Sequence, residues 1–131
     1  MPRIFIVLSG LLGLSAVALG AFGAHGLQSR LTSLPDAVKR LDWWNTAAHY
    51  HLTHALALAV AAWLVHRGAG ASALIAGWSF VGGVTLFSGS LYVMAVTGQT
   101  KLGVITPLGG LLFLVGWGAI AVAGWRLGAG S

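Results

Sequence analysis

Cysteine is absent from this chain, and acidic residues number two, Asp36 and Asp42. Without thiols there are no disulfides and no thiolate metal sites, and nothing is learned of the redox compartment. Charge of either sign is scarce: charged residues make up 7% of the chain, against about 25% in ordinary soluble domains. With 57% hydrophobic residues and a mean hydropathy of +0.88, the composition excludes a soluble globular domain and describes an integral membrane protein. The 131 residues suffice for one compact unit of about four spans of roughly 20 residues each.

What charge there is sits between or beyond the apolar runs. Arg3, Arg30, Lys39, Arg40, Arg67, Lys101 and Arg126 against the two aspartates give a formal +5. Cations so placed orient a protein in a bilayer, and no nucleic-acid partner is expected. The apolar runs cover residues 4–24, 44–65, 71–96 and 102–125. Arg3, the run after it and the small residues Ala21 to Ala24 also fit a secretory signal. That run is longer than a usual h-region of about 7 to 15 residues, so a retained first span is the preferred reading.

Between the first two runs, Ser33, Leu34, Pro35 and Asp36 form a helix-start signal of capping hydroxyl, proline and acid. Leu34, Val38 and Leu41 then fall on one side, and Asp36, Lys39 and Arg40 on the other. This predicts a short amphipathic helix in the headgroup region, a kink near Asp42, and Trp43 and Trp44 as interfacial anchors. Small residues at helix-packing spacing, Ser9, Gly13, Ala16 and Gly20, then Ser79, Gly83 and Ser90, then Gly109, Gly116 and Ala123, predict close helix contacts. The fold expected is all-α, a closed antiparallel bundle of four transmembrane helices. Pro107 falls early in the last span, where it removes an amide donor.

His49, Tyr50, His51 and His54 lie in a run that continues to Val65 without a charge. Counted from the tryptophans, His54 lies about 15 Å in, half of a core of about 30 Å, where an ionisable group needs a partner from the protein. If the spans alternate in direction, His25, Thr46, His49, His51, Ser88, Ser90, Tyr92 and Thr106 gather toward one side, leaving Ser9, Ser15 and Ser79 opposite. On a helical wheel Tyr50, His51 and His54 share the face expected to point inward, with His49 nearer the boundary. The candidate polar cluster is therefore His25, His49, Tyr50, His51, His54, Ser88, Ser90, Tyr92 and Thr106. Trp78, Trp117 and Trp125 read as lipid-facing or packing rings. Lysine and arginine are nearly balanced between the two sides, with a slight lean to the histidine side facing the cytoplasm.

Several of these stretches also carry a resemblance. Gly20-Ala21-Phe22-Gly23-Ala24-His25-Gly26-Leu27, Trp44-Asn45-Thr46-Ala47 running into His49-Tyr50-His51 and His54-Ala55-Leu56-Ala57-Leu58, Leu86-Phe87-Ser88-Gly89-Ser90-Leu91-Tyr92 and Ile105-Thr106-Pro107-Leu108-Gly109-Gly110 resemble the YgdD and transmembrane protein 256 family of small membrane proteins. The resemblance covers nearly the whole chain. It implies four spans in the inner (plasma) membrane and lends no reaction, cofactor or catalytic residue.

Three functional readings follow from the cluster. In the first, the polar groups only hold helices together, and the protein is an accessory or scaffold component of a larger membrane complex or a homo-oligomer. In the second, His25, His51 and His54 bind a metal or haem iron, or the same groups pass protons or small solutes. Too few carboxylates and no thiols are present to complete most metal sites. In the third, Ser88 or Ser90 with a histidine forms a hydrolase, but no carboxylate lies within the spans to orient a base, and Phe-Ser-Gly-Ser is not a nucleophile elbow. The accessory reading is preferred and an enzyme is the least favoured.

Overall fold

A computed structural model describes residues 2–129, with side chains over residues 3–128. The described residues form helices and turns with no strand. Four helices are long and apolar enough to span a membrane: Arg3–Leu31, Ala37–His66, Ala71–Thr97 and Lys101–Gly128. Each outruns the apolar run that announced it, because helical pairing continues past the last residue that suits lipid.

The second span is one unbroken helix from Ala37 to His66. The expected interfacial helix is thus its first turns, no separate element forms, and helical pairing runs through Asp42 without a break. Asp36 rather than Ser33 flanks its start. Arg40 also departs from the expected solvated face. Its guanidinium is buried, donating from Nε to the Ala95 carbonyl at 2.7 Å and from Nη2 to the Val96 carbonyl, with Asp36 at 3.6 Å. A fixed cation meets the unpaired carbonyls at the C-terminal end of the third span, where the helix dipole is negative. Gly98 ends that span in the left-handed region, φ 75°, a conformation that side chains disfavour.

Two short π-helical turns interrupt the α-helical pattern, Gly23–Leu27 in the first span and Val84–Ser88 in the third. Each wider turn changes the direction in which the following side chains leave the helix. At the first, Trp44 lies against Gly23 and donates its indole N–H to the Leu19 carbonyl at 2.7 Å. Trp44 is consequently 4% exposed, a buried strut where an interfacial anchor was expected. Trp43 stays half-buried under the Lys39 ammonium, 5.1 Å from its ring.

The helices form an open array rather than a closed ring. The first span packs along the second and the third along both second and fourth, while the first and fourth share no packing seam. The middle two spans are the buried ones. Their core is made of rings set on glycines: Phe5 over Gly77, Phe113 over Gly83, Phe80 over Gly116, and the Phe87 backbone against Gly109. Lipid supplies no hydrophobic drive between helices, so this close fit supplies the attraction. Gly83, Gly109, Gly116, Ala16 and Ala123 pack as their spacing predicted. Gly13 and Gly20 do not, since a Cβ at either meets nothing within 4 Å.

Gly109→Ala is expected to lower stability by about 1–3 kcal/mol, because its Cβ would press on the Phe87 Cα and Cβ at 2.8 and 2.7 Å. Gly10→Ala, which meets nothing within 4 Å, serves as the neutral control. Thermal unfolding of both in detergent checks the contrast, and an equal loss in the two would contradict the packing described.

Candidate functional site

The second span carries His51 and His54 almost one turn apart near the middle of a 30-residue helix. Both are buried, yet they serve different neighbours. His51 faces the first and third spans: its Nδ1 lies 2.9 Å from the Tyr92 hydroxyl and its Nε2 3.1 Å from Ser15 Oγ. Ser15 in turn donates to the Leu12 carbonyl at 3.0 Å. One polarity satisfies the whole chain: Tyr92 O–H to Nδ1, Nε2–H to Ser15, and Ser15 O–H to Leu12.

His54 turns toward the fourth span. Its Nδ1 lies 2.7 Å from the Tyr50 carbonyl, and its Nε2 accepts the indole N–H of Trp117 at 3.0 Å. An indole nitrogen only donates and a carbonyl only accepts, so this pair fixes the neutral ring with its hydrogen on Nδ1. Phe113 stacks on the imidazole with centroids 3.6 Å apart and planes 10° from parallel, and Phe80 closes another side at 5.5 Å.

Three further side-chain bonds join helices near these histidines, one of them from Ser9 of the first span to the Ala55 carbonyl of the second at 2.7 Å. Ser88, fully buried in the π turn, donates to the Ala47 carbonyl at 2.8 Å, joining third span to second. Ser90 donates to the Phe87 carbonyl and meets Thr106 Oγ1 at 2.6 Å, joining third to fourth.

The predicted cluster is therefore partly assembled. His51, His54, Ser88, Ser90, Tyr92 and Thr106 engage neighbours as placed, though in separate contacts rather than one pocket. His25 is exposed on the first π turn and joins none of them. His49 is exposed with its ring 5.5 Å from Tyr50, and Tyr50 is 39% exposed on a side groove. The suggested metal set of His25, His51 and His54 does not converge, and no group of three His, Asp or Glu that could hold a metal occurs among the described residues. The residues that sequence reasoning passed over are Ser9 and Ser15, assigned to the opposite half, and Trp117, read as a lipid-facing or packing ring. An indole one span away from an unpaired imidazole was the available signal for the second.

These features define a class, a small all-helical membrane protein with four candidate spans and His51, His54, Ser88 and Ser90 turned inward. Residues 19–110 match the family described as Protein of unknown function (DUF423). The chain is 48% identical over 122 residues to the UPF0382 membrane protein YwdK of Bacillus subtilis, covering 92% of this chain and 95% of that one. It is 40% identical over 121 residues to the UPF0382 membrane protein SERP0230 of Staphylococcus epidermidis, covering 92% and 94%. To a UPF0382 membrane protein of Haemophilus influenzae it is 38% identical over 127 residues, covering 96% and 97%. The chain belongs to this DUF423 family, the YgdD and transmembrane protein 256 type that its motifs resemble. No solved structure matches it.

Removing one polar contact should weaken the fold modestly. Tyr92→Phe and Trp117→Phe are each expected to lose about 0.6 kcal/mol, with about 1.7 as the upper range. Because the two contacts share no partner, the double variant should lose the sum to within about 0.5 kcal/mol. Reversible denaturation in mixed micelles measures this, and a coupling above about 1 kcal/mol would mean that the two histidines form one network.

Proposed function

We propose that this protein is an accessory or scaffold component of the plasma membrane, whose inward polar groups hold its shape while its outward faces meet other membrane subunits or further copies of itself. One observation supports the reading above the rest: all four ring nitrogens of His51 and His54 have partners within the chain. A resident metal or haem iron would have to displace one of those partners. A proton path fares no better, since the His51 chain ends on a backbone carbonyl of Leu12.

The outer faces fit the same role. Leu11, Leu14 and Val17 on the first span, and Leu111, Leu114 and Trp125 on the fourth, are exposed. Both outer helices leave most of their surface for contacts beyond the chain.

Purification in a mild detergent, followed by mass spectrometry and an absorption spectrum, tests the proposal. Membrane subunits or further copies should co-purify in a colourless preparation. His54→Leu should still insert and lose those companions. A Soret band, a stoichiometric metal or a bare monomer would overturn the reading.

A further inference from the structure

The second and fourth spans meet chiefly through side chains, His54 against Phe113 and Trp117, and a groove of about 640 Å³ lies beside that contact. Phe87 of the third span contributes to its wall, and Leu111 and Leu114, exposed on the fourth span, border it. The groove differs from an ordinary lipid-facing crease in two respects.

First, its walls are flat rings. Tyr50, His54 and Phe113 lie within 11° of parallel to one another, and Phe87 and Trp117 border them. Such faces favour offset stacking with a planar guest over contact with a flexible acyl chain. Second, one polar atom in the wall has nothing to bond. His54 and Trp117 bond each other, and Thr53 donates to the His49 carbonyl. The Tyr50 hydroxyl has no hydrogen-bond partner among the described residues, and Tyr50 as a whole is 39% exposed. An unpaired hydroxyl in hydrocarbon is unfavourable, so the preferred guest brings an acceptor to it.

Depth then selects the guest. Counted from Trp44 at about 1.5 Å per residue, Tyr50 lies about 9 Å in, inside the hydrocarbon zone. Phospholipid ester carbonyls stay at the interface, above that level. A molecule that carries carbonyls into the hydrocarbon on a flat ring and trails an apolar tail is an isoprenoid quinone. We propose that this groove binds an isoprenoid quinone, with its ring against Tyr50 and Phe113, one carbonyl accepting from the Tyr50 hydroxyl, and its tail running out into lipid. The assignment is one of binding, and no electron transfer is ascribed to the chain.

Titration of the full-length protein in nanodiscs with decylubiquinone tests this, because a bound quinone quenches nearby indole fluorescence and Trp117 borders the groove. Quenching should saturate in the native protein and fall sharply in Trp117→Phe. Tyr50→Phe, which keeps the ring and removes the hydroxyl, should raise the dissociation constant about tenfold. Gly110→Leu, whose Cβ would sit 4.0 Å from the Phe87 ring and whose side chain would fill the groove, should abolish saturation. Palmitate at equal concentration should not compete. Linear quenching without saturation, equal affinity in the native protein and Tyr50→Phe, or full displacement by palmitate would each overturn the proposal.

Discussion

Everything in this fold depends on the requirement that a polar group below the headgroups find its partner within the protein, because hydrocarbon offers none. The second span carries the heaviest such demand, with two imidazoles near its middle. It is accordingly flanked by helices that answer it: Ser15 from the first, Tyr92 from the third, Trp117 from the fourth. The order of helices in space follows the order of these demands. The third span shares the centre with the second, and the two outer helices need reach only one imidazole each.

Polar bonds of this kind are individually weak in membranes, and they cannot alone hold four helices together. Close fit provides the rest. The glycines at 77, 83, 109 and 116 bring backbones near enough for Phe5, Phe80, Phe87 and Phe113 to fill the intervening space. The Phe113 ring serves both purposes, since one part of it covers Gly83 while its face lies on His54. Packing and polar pairing therefore meet at the same place, and the position of His54 is determined twice over.

Composition and hydropathy carried the number of spans and the class of fold, since both depend on sums over many residues. Which serine meets which imidazole depends instead on helix rotation, and there the sequence was less informative. The π turns at Gly23–Leu27 and Val84–Ser88 have no residue signature, yet they reset the faces that follow them. Ser15 was assigned to the wrong half because depth was counted from span ends. The first helix runs on to Leu31, which moves its middle toward His51. The closed ring expected of four spans does not form, since the first and fourth share no seam, and a Cβ at Gly13 or Gly20 would meet nothing within 4 Å although both have packing spacing. Spacing reports what a helix can offer, and only the neighbours decide whether it is taken up.

The Arg40 guanidinium carries a consequence for assembly in time. Its acceptor at Ala95 is 55 residues downstream, so during synthesis the cation precedes its partner by more than the length of a span. Until the third helix has crossed, Arg40 must stay hydrated among the headgroups, holding the near end of the second helix at the surface. Arrival of Ala95 and Val96 then lets the charge leave water, and the central hairpin closes like a latch drawn from its own far end.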